Sequence, residues 1–239
     1  MSDLASKTLL ITGAAQGLGA ALARVFAGQG AHLILIDVAA DPLATLGAQL
    51  GDDVTCIAAD LADAGATAAA IAQIDRPVDV LIHNAAILIP EPVSDVSLAT
   101  FRATLDVGIQ AGFQLTQAVW SGMVARGRGA LIFVSSRSGI KGFADETAYC
   151  AAKHALEGFS KCLALEGAPH GIVSCTITPG MAMQTPMSEK NYPPELKAKW
   201  VDPEQLAPAF VQIATADDLR FTGQRLNAWE LSVAQTPGD

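Results

Sequence analysis

Lys7-Thr8-Leu9-Leu10-Ile11-Thr12-Gly13-Ala14-Ala15-Gln16-Gly17-Leu18-Gly19 decides the fold, because a short apolar run gives way at once to three closely spaced glycines and then to a helical pattern. An apolar run of this length is too short for a core helix and reads as a strand buried on both faces. The glycine turn that follows brings backbone N–H groups and the positive end of the next helix to one point, which suits a pyrophosphate. Gly13 permits the turn, Gly17 lets a ligand approach closely, and Gly19 lets helix pack on strand, with Gln16 and Leu18 completing the cradle.

The same alternation continues outward from this stretch. After the first strand at Lys7 to Thr12, strands are expected at Ala31 to Asp37, Asp53 to Ala59, Val78 to Asn84, Ala130 to Ser135, Ile172 to Thr178 and Gln224 to Ala228. Helices are expected at Leu18 to Gln29, Pro42 to Leu50, Ala64 to Ile74, Phe101 to Arg126, Thr147 to Gly167 and Pro203 to Ala216, the last capped by Asp202. Right-handed crossovers between such strands give an α/β class chain. The expectation is one doubly wound, Rossmann-like domain over 1–239, with a seven-stranded, mainly parallel sheet flanked by helices. Its ligand cleft lies at the carboxyl ends of the strands, where strand order reverses. Residues 180–201, with Pro186, Pro193 and Pro194, break the rhythm and are expected to be an irregular lid over the substrate site.

A formal net charge of -9 argues against nucleic acid or an anionic membrane as the main partner. The start Met1-Ser2-Asp3-Leu4 lacks a basic segment followed by a long apolar one, and no apolar run reaches transmembrane length, so a cytoplasmic location is expected. Cys56, Cys150, Cys162 and Cys175 show no paired spacing and read as buried thiols. His32, His83, His154 and His170 are dispersed without carboxylate companions, so no catalytic metal is expected.

Asp37 ends the second strand 18 residues after Gly19. A carboxylate there accepts hydrogen bonds from adenosine ribose hydroxyls and repels a 2′-phosphate. With no arginine or lysine in the glycine loop or just after Asp37, the expected coenzyme is NAD(H) rather than NADP(H). Asp60-Leu61 ends the third strand, where the carboxylate could meet the adenine amino group or cap the next helix. Ser136 follows the fifth strand, Tyr149 comes 13 residues later near a helix start, and Lys153 lies one turn further on the same face. A phenol can give or take a proton at a substrate oxygen, a neighbouring ammonium lowers its pKa from about 10, and a nearby hydroxyl can hold the carbonyl oxygen.

Taken together, T-G-x-x-x-G-x-G at Thr12 to Gly19, His83-Asn84-Ala85-Ala86 as a variant of N-N-A-G, Ser136, Tyr149-x-x-x-Lys153 and Pro179-Gly180 resemble the short-chain dehydrogenase/reductase family from about residue 5 to residue 230. The resemblance implies that Tyr149 is the general acid/base, that Lys153 lowers its pKa and holds the nicotinamide ribose, and that Ser136 positions the substrate oxygen. Asn84 and Ala85 would line the coenzyme cleft, and Pro179-Gly180 to Thr185 would embrace the carboxamide side. A homo-oligomer is implied too, either a tetramer or a dimer through the Phe101 and Thr147 helices.

Two departures stand out. Gly108, in Asp106-Val107-Gly108, occupies the family's asparagine position, and helical glycine costs about 1 kcal/mol relative to alanine. It predicts either a kink with a carbonyl-bound water or room for a bulky neighbour. His83 replaces the first asparagine of N-N-A-G and reads as structural. Expected pocket residues such as Leu88, Ile89, Phe143, Met181 and Met183 are mainly apolar, pointing to a hydrophobic or mixed secondary alcohol or ketone, rather than a highly polar sugar, as the small-molecule partner. An NADP-dependent carbonyl or acyl-carrier reductase and an NAD-sensing protein without turnover are the competing readings.

Overall fold

Each of the seven apolar runs forms a strand: β1 (Thr8–Thr12), β2 (His32–Asp37), β3 (Val54–Ala58), β4 (Val80–His83), β5 (Gly129–Val134), β6 (Ile172–Thr178) and β7 (Arg225–Asn227). In the computed structural model, which describes residues 4–234, all pair in parallel in the order β3-β2-β1-β4-β5-β6-β7. The acidic start at residues 1–3 and the segment 235–239 lie outside the described residues. Around the sheet run α1 (Gly17–Gly28), α2 (Ala40–Leu50), α3 (Ala64–Ile71), α4 (Leu98–Leu105), α5 (Ala111–Arg126), α6 (Thr147–Gly167), α7 (Pro186–Asn191), α8 (Ala207–Ala214) and α9 (Ala228–Val233).

Side chains alternate across a strand, so β1 feeds two separate cores. Leu9 and Ile11 pack with Phe26 of α1 and Phe210 of α8, whereas Leu10 packs with Leu115 of α5 and Leu156 of α6. Burying each such side chain contributes about 1.5–3 kcal/mol, which makes the paired cores the main hold on the sheet. Strand order reverses between β1 and β4, and there the cleft opens at the carboxyl ends of the strands.

Several expectations are corrected. The single helix predicted from Phe101 to Arg126 starts at Leu98, capped by Ser97, and is interrupted by a π-helical turn at Asp106–Gln110. The helix predicted at Pro203 begins as a 3₁₀ turn, Pro203–Leu206, capped by Asp202. The segment 180–201 is not irregular: Thr185 caps α7, Pro186 takes its first position, and a 3₁₀ segment follows at Pro194–Lys199. A parallel bridge between Met183 and Val201 closes its base.

The cysteines are corrected too. Only Cys175 is buried, while Cys56, on the edge strand β3, turns its sulfur toward α2, where it meets the Leu43 carbonyl at 3.5 Å, and Cys162 sits on the solvent face of α6; all four are free. No helix is long and apolar enough to cross a membrane, and no group of three or more potential metal-ligating side chains occurs among the described residues.

Candidate active site

The turn from β1 to α1 exists because its glycines accept what other residues cannot. Gly13 and Gly17 have φ of +63° and +56°, in the left-handed region. A Cβ on Gly19 would overlap the carbonyl oxygen of Gly13, and one on Gly13 would stand 2.9 Å from Cα of Ala85. Side chains from neighbouring strand ends then pin the loop through its backbone. Asn84 Nδ2 donates to the carbonyls of Thr12 (3.1 Å) and Gly13 (3.0 Å). Asp37 accepts from the N–H of Ala15 at one oxygen and of Ala39 at the other, each at 2.9 Å.

Above this floor lies a cavity of about 260 Å³. Among the predicted coenzyme residues, Gly13, Gln16, Gly17, Leu18, Asp37, Asp60, Leu61, Asn84, Ala85 and Thr185 line it, and the lining contains no lysine or arginine. Its curvature, its glycine floor and the helix start beside it fit a dinucleotide. Gly19 lies beneath the wall. Pro179, Gly180, Tyr149 and Lys153 are not on it; Gly180, with φ +80°, is pressed against Asn227 of β7. Asp60 accepts from the N–H of Ala62 (2.9 Å), while the cap of α3 is Asp63. Thr185 spends its hydroxyl capping α7, and a Cβ on Gly17 would come 3.3 Å from its methyl carbon. Val38, Ile87, Val134 and Met187 also line the cavity and went unpredicted, although Val38, Ile87 and Val134 sit at or just beyond strand ends, where such positions can be sought.

Ser136, Tyr149 and Lys153 come together beside this cavity. Ser136 leaves β5, and its Oγ accepts from the N–H of Ser138 (3.2 Å), starting a 3₁₀ turn. Tyr149 lies in the first turn of α6, where the Ser136 hydroxyl acts on its phenol. Lys153 is buried, donates from Nζ to the Val134 carbonyl (2.7 Å) and lies 5.4 Å from the centre of the Tyr149 ring. Burial lowers its pKa to about 8, with Glu157 opposing.

The expected lowering of the Tyr149 pKa is absent. Burial pushes the phenol above its ordinary range, Tyr192 adds to this, the Ser136 hydroxyl opposes it, and Glu146 raises it further. The Lys153 ammonium is directed to a backbone carbonyl instead.

Polar groups cluster around Tyr149. Ser136 Oγ donates to Ser138 Oγ at 3.4 Å, and Ser138 donates to a Glu146 oxygen at 2.8 Å. Asp145, just before, holds a left-handed φ of +62°, and its carbonyl accepts from the N–H of Glu91 (2.8 Å), fixing the loop into α6. Behind the site, buried Glu157 accepts from Ser135, from Thr176 (2.8 Å) and from Arg225 Nε (3.1 Å), and Arg225 also donates to the Ser136 carbonyl (2.9 Å). Sequence reasoning missed this support, since no motif links residues so far apart.

Gly108 sits in the π-helical turn, where a Cβ would lie 2.8 Å from that of Ala152, beside Lys153. The irregularity at Gly108 is thus a π-helical turn, and the neighbour the glycine accommodates is small rather than bulky. The carbonyls of Val107 and Gly108 face His83 Nε2, at 3.0 and 3.2 Å.

Comparison with known proteins agrees with this geometry. The family model described as short chain dehydrogenase matches residues 7–196. An L-xylulose reductase from Mesocricetus auratus is 34% identical over 198 residues, covering 82% of this chain and 80% of the relative. A D-threitol dehydrogenase from Mycolicibacterium smegmatis is 34% identical over 186 residues, with 75% and 72% covered. Among solved structures, a protein from Beutenbergia cavernae, provisionally assigned as an NAD(P) dependent gluconate 5-dehydrogenase and carrying NADP at low occupancy, superimposes with a TM-score of 0.88 at 28% identity. That match covers 98% of this chain and 99% of the other.

Proposed function

The chain belongs to the short-chain dehydrogenase family, oxidoreductases that use a nicotinamide coenzyme, and on that premise we propose that it uses NAD(H) to interconvert a hydroxylated secondary alcohol and its ketone. The observation that carries this reading is the buried Lys153 Nζ, 5.4 Å from the Tyr149 ring centre and bonded to the carbonyl of Val134, which lines the glycine-floored cavity.

When bound, the nicotinamide supplies the hydride donor or acceptor. The Gly13–Gly19 loop and the start of α1 would hold the pyrophosphate, Asp37 would take the adenosine ribose, and Asp60 and Leu61 would border the adenine. Asn84, Ala85 and Thr185, which line the cavity, would flank the nicotinamide end, and Lys153 would take its ribose, while Pro179 and Gly180 stand back from the wall. Tyr149 gives a proton to the ketone oxygen in reduction and recovers one from the alcohol in oxidation, while Ser136 donates a hydrogen bond to the same oxygen. Burial keeps the phenol protonated and ready to donate, and Lys153 is the cation placed to stabilise the phenolate left behind.

Asp37 and Asp60, in a cavity wall without lysine or arginine, favour NAD over a coenzyme with a 2′-phosphate. The Ser138–Glu146 pair beside Tyr149 supplies an acceptor for further substrate hydroxyls. That fits the L-xylulose and D-threitol activities named for the relatives better than a wholly apolar ketone. Exposed Phe113 on α5 and Leu165 on α6 support a homo-oligomer joined through the long helices.

The test is turnover of L-xylulose, D-threitol and simple apolar ketones or alcohols with each coenzyme, followed by nicotinamide absorbance. Faster turnover with NAD(H) and with the hydroxylated substrates is expected. Preference for NADP(H), which the Beutenbergia cavernae structure carries, would overturn the coenzyme assignment, and tight NADH binding without turnover of any substrate would overturn the enzymatic one.

A further inference from the structure

His83 is the last residue of β4 and is 1% exposed, so each polar atom of its ring needs a protein partner. The partners settle which nitrogen carries the proton. Thr12 Oγ1 accepts from the N–H of Asn84 (3.0 Å) and of Ala85 (3.1 Å), which occupies both lone pairs. Its own hydrogen is therefore donated to His83 Nδ1, 3.0 Å away, and Nδ1 is bare. The proton sits on Nε2, which donates to the carbonyls of Val107 (3.0 Å) and Gly108 (3.2 Å). A π-helical turn is a place where a side chain can enter the ladder of carbonyls in this way.

Two glycines make the arrangement possible. A Cβ on Gly112 would stand 3.1 Å from His83 Cδ2, and one on Gly108 would press on Ala152, the residue before Lys153. One neutral imidazole thus spans from Thr12, where the glycine loop begins, to the turn that rests on α6. Thr12 in turn fixes the N–H groups of Asn84 and Ala85 on the cavity wall.

We propose that His83 is a positioning residue: through its Nε2–H tautomer it sets the coenzyme floor and the Tyr149–Lys153 helix at a fixed separation. It rests on the reading of the cleft as a coenzyme site and goes beyond it, because nothing in that reading requires an imidazole here. His83 touches neither coenzyme nor substrate, so its effect is on alignment, which misplacement by a fraction of a bond length is enough to spoil.

The test begins with nitrogen-15 NMR of the histidine rings in the native protein near neutral pH, which is independent of any turnover. A bare Nδ1 and protonated Nε2 at His83 are expected; the opposite tautomer, or a charged ring, overturns the proposal. Kinetics then compare His83→Phe, which fills the space without either hydrogen bond, with His83→Gln, which keeps one donor and one acceptor. For His83→Phe, kcat is expected to fall and the NADH Kd to rise, each by about tenfold, with substrate KM little changed; His83→Gln restores most of both. In the Phe background, Thr12→Val is expected to add little further loss, since the hydroxyl's partner is already gone.

Native kcat and NADH affinity in folded His83→Phe would overturn the proposal. Should that variant fail to fold, His83→Gln decides: near-native constants support the proposal, and a tenfold loss in a natively folded protein overturns the donor–acceptor requirement. If the native protein binds NADH but turns over no substrate, the enzymatic reading fails while the tautomer and the NADH affinities still decide the role of His83.

Discussion

In the half of the cleft built on β1, β2 and β4, the contacts run to backbone apart from the Thr12–His83 bond, whereas in the half built on β5, β6 and α6, side chains repeatedly grip one another. Asn84 holds two carbonyls and Asp37 two N–H groups, and Gly13 and Gly19 leave no room for a Cβ. Across the cleft, Ser136, Ser138 and Glu146 form a chain of side-chain hydrogen bonds, and Glu157 gathers Ser135, Thr176 and Arg225. The first half is a rigid cradle whose shape is a matter of φ and close approach. The second is an electrostatic arrangement, in which burial moves the pKa values of Tyr149 and Lys153 in opposite directions.

If that contrast holds, damage to the cradle appears in coenzyme affinity. Gly19→Val places a side chain on the Gly13 carbonyl, and the NADH Kd is expected to rise at least about 100-fold in a fluorescence titration, equal to roughly 3 kcal/mol. Retained affinity would show that the loop can rebuild itself, and the contrast would be lost.

His83 joins the halves and sharpens the comparison through pH. Burial, and then the Lys153 charge, lower its folded pKa from 6.5 to about 4. The unfolded chain binds this proton first, so the contribution to stability is whole above about pH 6.5 and is lost as pH falls toward 4. Across that window it amounts to about 3 kcal/mol. Denaturant unfolding at a series of pH values is expected to show this loss in the native protein and a smaller one in His83→Gln; parallel curves would contradict the buried neutral ring.

A smaller effect is expected at Asp37. Asp37→Ser removes the carboxylate from the cavity wall but leaves the glycine loop, and the ratio of kcat/KM for NADH over NADPH should fall by about tenfold. An unchanged ratio would move coenzyme choice elsewhere.

The contrast also explains what could be read without coordinates. The cradle announces itself because positive φ and close backbone approach demand glycine at fixed offsets, and because Asp37 must stand at a strand end. The strands were legible for a similar reason, since burial on both faces leaves continuous apolar runs. The supports of the other half are encounters in three dimensions: Arg225 and Glu157 are 68 residues apart, and His83 meets the π-helical turn 25 residues on. Gly108 marked that turn as unusual, but only the structure shows an imidazole filling it. Likewise, Tyr149-x-x-x-Lys153 gave the pair its place on one face of α6, while the direction of the lysine, toward Val134, depends on a strand that its local sequence does not contain.

The central division of the molecule is between a cradle that binds and a phenol that moves a proton. Tyr149→Phe tests it most directly, with NADH binding and turnover measured on the same preparation. The predicted result is NADH affinity within about twofold of native together with a fall in kcat of about a thousandfold, the range of a lost general acid. Full turnover by the phenylalanine variant would contradict it.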